Sequence, residues 1–491
     1  MSLRKMHQAW AASGLLAVVA FGSVLFRSPS TPIGAARAEE LAATTVPVVV
    51  SEVPLSPRDV SWLFPAPNRE IDLTHLISIS ELTAPSAAAP SKREQIWPDE
   101  AFAQFLANAD LASVKGASGT VHKVILPQEV RNKAVWHVAA LRIDPGAPGL
   151  SPEIMDQYGQ SPQIRFILQP VTREPEGKLK VHDIAAHVVY SFLMGVNLPA
   201  VEGCLARPTP DMDAFRKVAK DFATLREELK NGAFDGVRID TSSHLLDVHP
   251  GLANPKTAKA VRDALVKVLE RHLDGGKLTA MAIMGLADNG PEPWVFMAMA
   301  PDHKATFPTL PQGNFQAVPA AALIGLEFAE ALAVTEKPQV VPTPAPDNLN
   351  PITCRNNLTS GAAALPPAER KGLATAALFE LGDKEVKNPE EVAKVKETVD
   401  LIADPTRSHF FNTDCVSCHT DTRRALELLG EREIPGVAAG ALPKDKWNVR
   451  NFGWFPGSIL HPSPNVATVT RRTAAETAAV LDFINKNGLA K

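Results

Sequence analysis

The sequence predicts a multi-domain protein, with an α+β N-terminal region followed by an all-α C-terminal domain. Three observations carry that expectation. At 491 residues the chain exceeds what one hydrophobic core usually serves. Residues 97–335 mix strand-length apolar runs with helical periodicities, whereas only helical patterns follow residue 366. Between the two regions lies EKPQVVPTPAPDNLNP (336–351), whose spaced prolines favour a stiff, extended linker. Composition is ordinary at 45% hydrophobic and 21% charged residues, apart from 42 prolines that interrupt many elements.

The N-terminus reads as an export signal covering residues 1–38. Arg4 and Lys5 form a short basic region, Ala11 to Phe26 is almost entirely apolar, and Ala36-Arg37-Ala38 offers small residues for cleavage. An uncleaved anchor is the alternative, although this apolar run is short for a membrane-spanning helix. Cleavage removes four basic and no acidic side chains, which moves the net charge from −4 to −8. A mildly acidic chain without basic clusters argues against nucleic acid or an anionic membrane surface as partner. No stable membrane span is expected once the signal is gone. The expected location is the periplasm or another exported compartment.

Residues 39–95 look irregular and rich in alanine and proline, with VSWLFPAP and IDLTHLISI as segments that can pack on a domain. An α+β region is expected over 96–335. Trp97 to Leu111 has Pro98 near its first turn and acidic residues behind it, as helix starts do. VWHVAALRI (135–143) and QIRFILQPV (163–171) read as strands, and HDIAAHVVYSFLMG (182–195) reads as an apolar helix. The same order then recurs. Asn254 and Pro255 open a helix carrying Val261, Leu265, Val268 and Leu269, which Gly275 and Gly276 stop. LTAMAIMGL (278–286) and WVFMAMA (294–300) follow as strands around Asn289-Gly290, and 318–334 closes the unit as a helix. The region is therefore expected to hold two helix–strand–strand–helix copies.

Residues 352–491 form the expected second domain. Pro366-Pro367 opens one helix, and Asn388 with Pro389 and Glu391 caps another whose face carries Val392, Val395, Val399 and Ile402. Pro405 ends it. Thr473 and Glu476 read as a capping box for a last helix bearing Val480, Leu481 and Ile484, stopped at Gly488.

Between these helices stands Asp414-Cys415-Val416-Ser417-Cys418-His419, which contains C-x-x-C-H, the attachment signal of a c-type haem. Two thiols three positions apart on a turn entering a helix can reach both vinyl groups of one porphyrin. The next residue then presents an imidazole to the iron. A zinc site would need further thiols or histidines at ligand spacing, and a thioredoxin-like C-x-x-C would need a βαβ context. Neither is present here. Cys204 and Cys354 remain; an oxidising compartment allows them to pair, and the sequence leaves pairing open.

A helix, C-x-x-C-H, an aromatic loop and a C-terminal amphipathic helix together resemble the class I c-type cytochromes over roughly the last hundred residues. The resemblance implies an all-α cytochrome c-like fold and one haem c bound covalently through Cys415 and Cys418. It also implies His419 as proximal iron ligand and electron exchange with a redox partner protein. The family's downstream methionine is missing, because the last methionine is Met299. The one downstream histidine, His461 in Leu460-His461-Pro462, stands where the family often carries Met-Pro and is the expected distal ligand. An open iron, or a histidine or methionine from the N-terminal region, remains as the alternative. His409 sits near the motif but on the wrong side of it.

Trp447, Arg450 and Trp454 lie in the loop between, where their N–H groups can meet haem propionates and their rings can wall the pocket. For the tryptophans, plain core packing is the competing reading. Arg423 and Arg424 are expected on a solvated helix face. His182/His187 and His244/His249 are each five apart, a spacing that shares no helix face, so neither pair reads as a metal site. His137 and His272 fall within apolar patterns and read as core residues. No catalytic motif shows in the N-terminal region. Electron transfer is the leading expectation, with a haem enzyme or ligand-binding protein having an open sixth position as the alternative. A separate binding role for the N-terminal region is a third reading.

Overall fold

The computed structural model describes residues 55–491 except 69, 87–88, 112, 116–120, 148, 153–154, 156–159, 198–206, 287–293, 302–314, 318–321, 325–386, 407–414, 446–447 and 458–463. The described residues belong to one compact unit, Val53–Lys491. The linker at 336–351, Cys204, Cys354 and the helix opened by Pro366 lie outside the described residues.

An antiparallel sheet organises the unit. After a short helix α1 (Pro57–Val60), β1 (Ser61–Leu63) forms one end of the sheet, and α2 (Asp99–Leu111) precedes two long strands, β2 (Trp136–Ala147) and β3 (Ser161–Arg173). Then come β4 (Ala185–Ser191), helices α3 (Met212–Lys230) and α4 (Pro255–His272), and strands β5 (Leu278–Leu286), β6 (Trp294–Pro301), β7 (Phe315–Ala317) and β8 (Ala322–Ile324). Strands β1 to β7 pair in sequence order, all antiparallel, and β8 also pairs with β6. Register assigns the two faces. Trp62, Leu141, Phe166, Val188 and Met281 lie side by side on one face. There Trp62 meets Phe222 of α3 edge to face at 6.1 Å. Ser61, Arg142, Arg165 and Val189 lie on the other face.

That second face is covered by the C-terminal segment. It comprises α5 (Pro389–Ala403), α6 (Cys415–Leu428), the antiparallel hairpin β9 (Phe452–Phe455) with β10 (Val466–Val469), and α7 (Arg471–Lys486). Ser61 Oγ meets Thr477 Oγ1 at 2.7 Å, Arg142 pairs with Glu476, and Gln169 holds both backbone groups of Trp454. One hydrophobic cluster runs from Leu55 to Ala490, with Phe166 and Phe215 of the sheet side in the same core as Trp454, Val480 and Ile484. The expected division into an α+β domain and an all-α domain is therefore corrected. The C-terminal helices are accompanied by a hairpin, and they pack against the sheet within a shared core. The helical faces were legible, but the sequence does not show that part of their apolar surface is built to meet strands two hundred residues upstream.

The expected repeat also fails. Residues 182–195 are not a helix: β4 occupies Ala185–Ser191 and a further strand occupies Leu193–Asn197. A strand covered on both faces reads as a continuous apolar run and lacks the alternation that would mark it. Within 318–334, the described residues Ala322–Ile324 are a strand on β6. The amphipathic α3, whose Phe215, Val218, Phe222, Leu225 and Leu229 are buried, was missing from the expected order. Helix starts fared better. Asn254 and Asn388 cap α4 and α5, accepting from Lys256 N and Glu390 N. The last helix starts one turn earlier than expected, with Thr470 as the N-cap accepting from Thr473 N. In the segment 55–97, Trp62, Leu63 and Phe64 are fully buried.

Candidate cofactor site

Helix α6 begins on the motif, so Cys415, Cys418 and His419 fall at positions i, i+3 and i+4, which share one side of a helix. Helix α5 packs on α6 and α7. Cys418 is half-buried and rests against Leu401 and Ile402 of α5. The turn at Asp404-Pro405 breaks α5 and frees the chain to re-enter as α6.

His419 is fixed by the loop that precedes β9. Its Nδ1 lies 2.6 Å from the Val449 carbonyl oxygen, which can only accept, so Nδ1 carries the proton and Nε2 carries the lone pair. Burial pushes the His419 pKa down to about 4, with the Arg450 charge adding to the effect and the Val449 bond opposing it. The ring is thus neutral near pH 7, the state an iron ligand needs. The loop itself is held at several points. Asn448 accepts from Arg450 N at 3.1 Å and donates through Nδ2 to Thr468 Oγ1 of β10 at 2.9 Å. Arg450 then reaches the sheet, donating to Asp183 Oδ1 at 2.6 Å and to Met284 Sδ at 3.7 Å. Burial raises the Asp183 pKa to about 6 against the pull of Arg450.

The other expected residues divide clearly. Arg450 sits beside the motif histidine, where a propionate contact was expected, but its guanidinium is buried and oriented by Asp183. Trp454 is fully buried and donates from Nε1 to the Phe64 carbonyl at 2.9 Å, so core packing describes it. Arg423 is turned inward on α6 with 11% of its side chain exposed, 3.8 Å from Glu427, and not solvated as expected. His461 and Trp447 lie outside the described residues. His137 donates from Nδ1 to Val135 O in the core, 2.8 Å away, and His272 pairs with Asp221 at 2.8 Å.

Sequence reasoning set His187 aside together with His182, because a helical reading of 182–195 hides which face it takes. The strand sets it on the face of the sheet that the C-terminal segment covers. No protein-family model, no curated protein and no solved structure matches this chain. Among the described residues no helix is long and apolar enough to cross a membrane.

The residues present fit a haem c. The two cysteines and the histidine have the spacing the group requires, and the histidine is held in the ligating tautomer by a backbone carbonyl. Cys418 packs against the apolar side chains of Leu401 and Ile402.

Proposed function

We propose that this chain is an exported single-haem c protein that exchanges electrons with a partner protein. Cys415 and Cys418 hold the porphyrin, and His419 is the proximal ligand. The observation that carries this reading is the 2.6 Å bond from His419 Nδ1 to Val449 O. A core histidine needs some partner, but a histidine at the fifth position of C-x-x-C-H with Nδ1 committed to a backbone carbonyl is arranged as a metal ligand is. When bound, haem c supplies a one-electron ferric–ferrous couple.

The chain's own part is attachment and orientation. Cys415 and Cys418 would hold the group through thioether bonds, each formed by net addition of S–H across a vinyl group without oxidation. The Val449 carbonyl keeps the proton on Nδ1 and makes Nε2 the more basic donor. Export through the N-terminal signal brings the cysteines to a compartment suited to this chemistry.

The test is expression of the full chain with periplasmic haem c maturation, followed by haem staining on a denaturing gel. The wild type is expected to retain haem after denaturation, and Cys415→Ala/Cys418→Ala to lose it completely. A wild-type protein that matures, folds and carries no covalent haem would sink the proposal.

A further inference from the structure

The geometry points to His187 of β4 as the sixth, axial ligand of the haem attached at the motif. This rests on the attachment reading above and adds the residue that completes the coordination. Three independent observations support it.

The first is position. In β4, Ala185, His187 and Val189 share one face. It is the face on which Arg165 pairs with Val189 by register, and on which Arg142 and Gln169 hold α7 and Trp454. His419 is joined to the start of the same strand through one residue. Its ring meets Val449 O, and the adjoining Arg450 bonds Asp183 and Met284, the register partner of Ala185. His187 lies two residues farther along, about 7 Å away at strand spacing.

The second is a ring without a hydrogen bond. His137, His182, His249, His272 and His419 each have a ring hydrogen bond: to Val135, Thr172, Gly251, Asp221 and Val449. His187 makes none among the described residues and is half-buried. A ring without a hydrogen bond, on the face that the C-terminal segment covers, has its nitrogens available to a partner. A metal is one that accepts a neutral imidazole nitrogen.

The third is the floor around it. On this face the neighbours of His187 are Ala185 along the strand, Ile167 across to β3 and Ala282 across to β5, with Ala140 beyond Ile167. The opposite face carries Leu141, Phe166, Tyr190, Met281 and Ile283. The side chains paired with His187 across the sheet on this face are thus apolar.

The experiment uses the full-length holoprotein. Haem attachment is read on a denaturing gel, and ligation is read separately by optical, EPR and near-infrared magnetic circular dichroism spectra of the ferric protein. The wild type is expected to be low-spin with two-nitrogen character. His187→Ala is expected to keep its covalent haem, lose the low-spin signal and regain it with added imidazole. His187→Met is expected to show the red charge-transfer band of thioether ligation. His461→Ala should leave the low-spin signal in place. A low-spin His187→Ala protein, a high-spin wild type, or loss of the low-spin signal in His461→Ala but not His187→Met would each overturn the assignment. Absence of covalent haem from the wild type would instead remove the attachment reading, and the gel distinguishes the two failures.

Discussion

Gly453 in β9 shows how closely the C-terminal segment is fitted to the sheet. Its φ of +150° lies where side chains rarely go, and a Cβ there would come 2.7 Å from Gln169 Oε1. Gln169 has no room to yield. It is fully buried, its Oε1 accepts from Trp454 N at 2.6 Å, and its Nε2 donates to Trp454 O at 2.8 Å. Gly453→Ala is therefore expected to cost about 2–3 kcal/mol, through strain and the loss of a buried bond. Urea unfolding checks this, with Gly440→Ala, where a Cβ meets nothing within 4 Å, as the neutral control. At this scale the legible residues are those whose chemistry is local. Cys415, Cys418 and His419 declare themselves by spacing. Gly453, Gln169 and His187 do not, because each acquires its role from a residue more than two hundred positions away. Trp454 illustrates the difference: its burial could be anticipated, but not that its indole N–H would be used at Phe64 O.

Helix α7 is attached to the sheet by charge as well as by packing. The Glu476 carboxylate accepts from Arg142 of β2 and, at 2.7 Å, from Arg472 one turn back on its own helix. Both arginines are buried, so removing their shared partner leaves two cations with poor compensation. Glu476→Gln is expected to lose on the order of 3 kcal/mol near pH 7. The pH dependence has a definite sign. The guanidinium groups of Arg142, Arg472 and Arg165 together outweigh burial and hold the Glu476 pKa well below its ordinary value of 4.5. Its contribution is therefore fully present above pH 4.5 and declines as pH falls below that, toward the folded value. Unfolding curves for wild type and variant should stay apart from pH 5 to 8 and converge in acid; a constant gap down to low pH would refute the electrostatic account. The same element scale explains the misread strand. Ala185–Ser191 carries apolar side chains on both of its faces, so the alternation that separates strand from helix is absent. Elements with caps or one wet face, such as α4 and α5, were readable from Asn254-Pro255 and Asn388-Pro389.

For the molecule as a whole, the Pro-rich stretch at 336–351 suggested two independent cores, and the described residues share one. Without residues 388–491, Ile167 and Ala139 would lose Gly453 and its hairpin. Arg142 would lose Glu476, Gln169 would lose the Trp454 backbone, and the Phe64 carbonyl would lose its indole donor. An exposed apolar sheet face combined with stranded polar groups is the composition of an incompletely folded state. A fragment comprising residues 53–335 is therefore expected to bind a hydrophobic dye, to lack a native near-ultraviolet signal and to melt without a cooperative transition. The full chain should unfold in one step. A fragment that melts sharply would show that the sheet carries its own core. That outcome would favour a separable binding role for the N-terminal region. The expected failure would instead accord with the proposed placement of the sheet beside the cofactor, since Arg450, next to the residue that holds His419, is bonded to Asp183 just ahead of the strand that bears His187.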